Sequence, residues 1–181
     1  MSPANDLAKP YNAEYYRKEN QEELHPAYFD EIQLIVSKLE EPILDLGCGT
    51  GRLALVSKKE IYGLDISEYA IKRATERGMN ALVGNALNLP FREGSFRTIV
   101  LNQVLDHLEE PEKCLWECYR VLKRGGKLLI NIDTKAAPEH KRLFSQKELE
   151  RLLNNCGFKP SVLPRWIGGR LNFFCEALIK K

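Results

Sequence analysis

Ile43-Leu44-Asp45-Leu46 is a short, largely apolar run that stops at Gly47-Cys48-Gly49-Thr50-Gly51, and the helix-like stretch Arg52–Lys59 follows. No other feature limits the possible folds of this chain as sharply. A buried strand, a glycine-rich turn and a helix, in that order, make the opening half of a βαβ unit. Glycine is needed where φ is positive or where backbone must approach a ligand closely. Gly47, Gly49 and Gly51 take alternate positions in this turn. Such a loop can present backbone groups to a polar ligand at a helix N-terminus. For the triplet alone, a glycine-rich turn without a ligand is the plainer reading.

The rest of the chain continues the alternation. Ile61–Ile66 reads as a second strand, and Ser67 and Glu68 open a helix that stops at Gly78. Ala81–Ala86 and Thr98–Val104 read as further strands, Glu112–Lys123 as an amphipathic helix and Lys127–Ile132 as a strand after Gly125-Gly126. Gln146–Cys156 has helical spacing, and Phe158–Leu163 and Asn172–Ile179 suggest a hairpin about Gly168-Gly169. Ahead of these, Tyr28, Ile32, Ile35 and Leu39 recur at helical spacing after Pro26. Strands alternating with helices predict an α/β, doubly wound sheet, mostly parallel with a C-terminal antiparallel strand. Its ligand crevice should lie at the carboxyl ends of the strands, lined by the loops after Leu46, Ile66, Ala86 and Val104. Residues 1–41 are expected to form an N-terminal helical lid segment and residues 42–181 the ligand-binding domain.

Composition excludes several function classes. A chain of 181 residues that is 44% hydrophobic has room for one domain with a proper core. Its 27 basic against 25 acidic residues give no bulk attraction to nucleic acid. Met1–Pro10 lacks an apolar signal core, and no run approaches the roughly 18 apolar residues of a membrane span, so no membrane role is expected. The five cysteines form no paired framework, which suits a reducing, cytoplasmic setting. Cys114 and Cys118 read as small apolar residues on one helix face, and no metal site is expected.

Asp65 ends the second strand, 18 residues beyond Gly47, and an acidic side chain near that offset can accept both ribose hydroxyls of a nucleoside. Arg52 stands where a dinucleotide fingerprint wants its third Gly or Ala. The spacing therefore fits a nucleoside without pyrophosphate better than NAD, and an NAD-dependent oxidoreductase is the weaker alternative. Four segments, ILDLGCGTGR (Ile43–Arg52), YGLDIS (Tyr62–Ser67), GNALNLPFREGSF (Gly84–Phe96) and VLKRGGKLLI (Val121–Ile130), together resemble the successive motifs of class I S-adenosylmethionine-dependent methyltransferases. They are most similar to the type 11 branch. Phe144–Phe158 resembles the family's last helix more weakly.

The resemblance implies a Rossmann-like methyltransferase sheet with S-adenosyl-L-methionine as cofactor and S-adenosyl-L-homocysteine as product. It implies that backbone around Gly47, Cys48 and Gly49 holds the methionine end, with Asp45 orienting the loop beneath. Asp65 would bind the ribose diol and Ile66 pack on adenine. Asn85 and Ala86 would read the adenine edge, and Asn102 or Gln103 would sit near the methionine moiety. The family often has Asp where this chain has Asn85, whose carbonyl can accept the same hydrogen bond without charge.

The implied reaction is in-line displacement at a sulfonium methyl, which rests largely on holding donor and acceptor aligned. His107, preceded by Asp106, is the candidate base, although histidine at this place in the family often serves structure. Asp106 and Asp133 follow it, and His25 and His140 rank lower. Tyr11, Tyr15, Tyr16 and Arg17 either close over the cofactor as a lid or pack as an amphipathic helix on the core or a partner. Arg165, Trp166 and Arg170 form a basic aromatic tip that suits a hairpin turn better than a nucleic-acid surface. The partner is a methyl acceptor, small molecule or macromolecule. A catalytically silent S-adenosylmethionine-binding regulatory module is the alternative function.

Overall fold

The computed structural model describes residues 10–16, 26–135, 140–167 and 170–180. Arg17, His25 and the Gly168-Gly169 turn lie outside the described residues. Among the described residues the elements run α1 (Pro26–Ser37), β1 (Ile43–Leu46), α2 (Arg52–Val56), β2 (Ile61–Asp65), α3 (Glu68–Glu76) and β3 (Asn80–Val83). They continue with β4 (Phe96–Asn102), a 3₁₀ turn (Leu105–His107), α4 (Pro111–Val121), β5 (Leu122–Asp133), α5 (Gln146–Asn155), β6 (Phe158–Ile167) and β7 (Arg170–Ile179).

The strands form one sheet in the order β3-β2-β1-β4-β5-β7-β6. The first five are parallel, while β7 runs antiparallel to both β5 and β6. The order reverses between β1 and β4, which puts the crevice beside the carboxyl end of β1, above the glycine turn. The expected doubly wound sheet is therefore present, with its antiparallel C-terminal hairpin.

Period-two alternation explains why the sheet needs helices on both faces. Leu44, Leu46, Ile99, Leu101, Leu128 and Ile130 point to one side, where they pack with Leu115 and Cys118 of α4 and Leu149 and Leu153 of α5. Ile43, Val100 and Leu129 point to the other, against Ile32 and Ile35 of α1, Leu53 of α2 and Ile71 and Ala74 of α3. All five cysteines are unpaired and buried, and Cys114 and Cys118 sit in the core.

Several boundaries differ from the sequence expectation. β3 ends at Val83 rather than Ala86, because Asn85 leaves the ladder to form an isolated bridge with Asn88. β4 ends at Asn102, since Gln103 turns to a positive φ of 56°. Helix α2 spans only Arg52–Val56.

Helix α5 begins with a complete capping box. Ser145 accepts from the Glu148 backbone N–H at 3.3 Å, while Ser145 N–H donates to the Glu148 carboxylate at 2.8 Å. Replacing Ser145 with Ala should lower stability by about 1 kcal/mol. A shift of the urea midpoint without a change in slope would show it, and an unchanged midpoint would contradict it.

Candidate functional site

The site starts from the turn between β1 and α2. Gly47 and Cys48 donate backbone N–H groups to Leu64 O at 2.7 and 3.1 Å, which ties the turn to the end of β2. Gly47 has φ of +77°, and a Cβ there would lie 2.5 Å from Val104 Cγ2. No larger residue fits that position without moving the loop after β4.

Asp65 closes the other side. Its Oδ2 accepts from Gly49 N–H at 2.9 Å and its Oδ1 from Ser67 N–H at 2.9 Å. One carboxylate thus joins the glycine turn to the start of α3, where the Ser67 side chain caps Ala70 N–H. The Tyr16 hydroxyl donates to both Asp65 oxygens at 3.3 Å. Tyr16 is buried, stacks on Tyr69 and lies 3.3 Å from the place a Gly49 Cβ would take.

Residues 13–16 form one helical turn, held over this region at its leading end. Ser67 Oγ donates to the Tyr11 carbonyl at 2.6 Å, and the Tyr11 hydroxyl lies 3.1 Å from His107 Nδ1. Tyr15 packs edge-on between Tyr11 and Tyr16. The tyrosine segment therefore spans from the β2 loop to the β4 loop.

The electrostatics of the crevice are those of buried acids. Burial pushes the Asp45 carboxyl up to about 7, with the Asp65 charge adding to this and Arg52 opposing it. Asp65 itself is raised by burial, against the stabilising backbone N–H groups. Glu31, on α1, is pushed up to about 7 by burial, partly offset by hydrogen bonding to Asn102. Burial also raises the Cys48 thiol far above its ordinary range, so it stays protonated at neutral pH and is a poor nucleophile.

The other sequence candidates fall into two groups. Gly47, Cys48, Gly49 and Asp65 converge, with half-buried Ile66 beside them and Asp45 beneath. Half-buried Asn85 and Ala86 follow β3, and Asn85 Oδ1 already accepts Leu87 N–H at 2.9 Å. Asn102 is turned toward the sheet interior, where its Oδ1 accepts from Asn131 Nδ2 at 2.8 Å. Asn131 also donates to Glu31 at 2.7 Å. His107 follows β4, with its ring packed edge-on to Tyr11 and His140. Asp133 Oδ1 accepts Lys135 N–H at 2.8 Å. Arg97 lies in β4 and pairs with Glu40 at 3.2 Å. Trp166 is 77% exposed on β6.

Three features escaped the sequence reading. Glu31 falls on the apolar stripe of α1, three residues from Tyr28 and four from Ile35, and that polar interruption was the available signal. Gln103 holds a positive φ immediately after β4, which no residue type announces. His140 meets Asp106 across a long separation in the chain, which spacing arguments do not reach.

Comparison with known proteins gives a consistent result. Residues 44–130 match the family described as a methyltransferase domain. An uncharacterized protein of Methanocaldococcus jannaschii is 34% identical over 161 residues, covering 76% of this chain and 78% of that protein. A demethylmenaquinone methyltransferase of Thermotoga maritima is 38% identical over 106 residues, covering 55% of this chain and 46% of that enzyme. The chain thus spans less than half of that enzyme's length. Among solved structures, an S-adenosylmethionine-dependent methyltransferase of Thermotoga maritima, described as a possible histamine N-methyltransferase, superposes with a TM-score of 0.79. It is 26% identical, and the match covers 97% of this chain and 99% of that one.

The buried acids carry a pH signature. Asp45 keeps its proton in the folded protein up to about pH 7, whereas in the unfolded chain it loses it near 3.9. The folded form then binds more protons between those values, so this stabilisation is complete below about pH 4 and is lost as pH rises through 7. The urea midpoint should fall between pH 5 and 7.5, and Asp45→Asn should flatten that fall. An identical slope in the variant would show that Asp45 is not the source.

Proposed function

Because this chain belongs to the S-adenosylmethionine-dependent methyltransferase family, we propose that the crevice between the glycine turn and Asp65 is its cofactor site. The observation that carries the reading is the Asp65 carboxylate, held at the end of β2 by Gly49 and Ser67 N–H groups. Its position and charge suit a ribose diol. The backbone of Gly47, Cys48 and Gly49 suits the methionine end, which a side chain at Gly47 would displace. Ile66 offers an apolar face for adenine. Asn85, with its carbonyl engaged by Leu87, offers its amide N–H groups to the adenine edge, alongside Ala86. Asp45 and Asp65 favour a cationic ligand, because positive charge nearby lowers the cost of ionising buried carboxyls.

When bound, S-adenosylmethionine supplies a methyl group on a sulfonium that an acceptor nucleophile displaces in line. The chain's own contribution is placement and exclusion of water. Tyr16 and Tyr11 act as the lid. Tyr16 gives up or shares its contact with Asp65 when a ribose hydroxyl arrives, and Tyr11 fixes the turn to Ser67 and His107. Asn102 works at one remove, through the Glu31–Asn131 network that holds the end of β4. His107 stands past the end of β4 and is the candidate side chain on the acceptor side. Acceptor choice then falls to residues 1–41, the segment 133–143 and the Trp166 tip.

Calorimetry with S-adenosylhomocysteine tests the cofactor site. Hydrogen bonds to a charged group are worth about 1.5–3 kcal/mol each, so Asp65→Ala should weaken binding by about tenfold to a hundredfold. Labelled methyl transfer, tried separately on protein, RNA and small-molecule pools, should identify the acceptor class and vanish in the same variant. Wild-type affinity retained by a folded Asp65→Ala protein would overturn the assignment.

A further inference from the structure

Past the carboxyl end of β4, the fold brings together three side chains of ligand type that no part of the cofactor site uses. Asp106 lies in the 3₁₀ turn with 0% exposure, and neither of its carboxylate oxygens receives a well-aligned hydrogen bond from another side chain. His140 arrives from the segment after β5, its side chain 8% exposed, with Nε2 3.3 Å from Asp106 Oδ2 and Nδ1 without a partner. The His107 ring packs edge-on to that of His140 at 5.0 Å. One ligand atom from each of the three lies within 4.8 Å of the others.

The backbone makes this meeting reproducible. Lys141 and Arg142 donate N–H groups to Asp106 O at 2.8 and 3.3 Å, so the two ligand-bearing segments are stitched together. The Tyr11 hydroxyl on His107 Nδ1 steadies that ring from outside the group, as outer partners of metal-ligating histidines do.

We propose that Asp106, His107 and His140 form a binding site for a divalent transition-metal ion. A buried carboxyl faced only by imidazole rings is costly to keep ionised, and a cation among the three groups relieves that cost. The donor set, one carboxylate oxygen and two imidazole nitrogens, suits zinc or a neighbouring first-row ion and is wrong for calcium or magnesium, which favour all-oxygen shells. Such an ion draws its ligands to about 2.0–2.2 Å, so the group closes slightly around it. Three protein ligands leave a coordination position open, as in catalytic zinc sites. That position suits an oxygen, nitrogen or sulfur atom of the methyl acceptor, whose deprotonated form the ion would favour. This last role rests on the methyl-transfer reading, whereas binding of the ion does not.

The test uses the tag-free full chain stripped with chelator, then titrated with Zn²⁺ by calorimetry and with Co²⁺ by visible absorption. One equivalent of each should bind, and the Co²⁺ spectrum should lack a thiolate charge-transfer band. Loss of even an outer-shell partner costs about 10–100-fold in metal affinity, so His140→Gln and His107→Gln should each weaken Zn²⁺ binding at least about tenfold. S-adenosylhomocysteine affinity of His140→Gln, measured in parallel, separates this proposal from the cofactor assignment. Absence of stoichiometric binding, a strong thiolate band, or unchanged affinity in both variants would overturn it. Should either variant fail to melt cooperatively, the wild-type stoichiometry and spectrum decide alone.

Discussion

The constraint on which the rest of the crevice depends is the hydrogen bonding of one carboxylate. Asp65 accepts from Gly49 at the glycine turn and from Ser67 at the start of α3, and it receives the Tyr16 hydroxyl from the N-terminal turn. Three segments distant in sequence take their positions from it. The sheet supplies the platform, because β1 and β2 pair in parallel register from Ile43↔Ile61 to Leu46↔Leu64 and so fix where β2 ends relative to the turn. Replacing that carboxylate would therefore loosen the glycine turn and the N-terminal turn together.

The same region concentrates unfavourable charge. Asp45, Asp65 and Glu31 are all buried, and burial opposes the ionisation of each. A core built for stability alone would replace them with apolar residues of similar volume. A positively charged ligand in the proposed cofactor site would relieve the mutual repulsion of Asp45 and Asp65. Sites of this kind give up stability when empty and recover it on binding.

Much of the fold was legible in the sequence. The alternation Ile43, Leu44 and Leu46, and likewise Ile99, Val100 and Leu101, marks strands covered on both faces, and Ser145 with Glu148 marks the start of α5. Gly47 through Gly51 and Asp65 were legible too, because conformational freedom and a strand-end carboxylate are written in single residues. What was not legible depends on tertiary meeting. Asn102 is drawn inward by Asn131, which sits directly opposite it on the neighbouring strand. His140 reaches Asp106 only because residues 140–142 lie back on the 3₁₀ turn. Neither contact has a local signature.

Tyr11 carries a kinetic consequence. Its carbonyl accepts from Ser67, just after β2, and its hydroxyl is bonded to His107, just after β4. A single residue is thus fastened at both ends of the opening, and Tyr15 couples its ring to that of Tyr16. Lifting the strap to admit one molecule slackens the wall that faces the other. On the proposed reading, with cofactor toward Ser67 and acceptor toward His107, loading and release of the two would be coupled through this one residue.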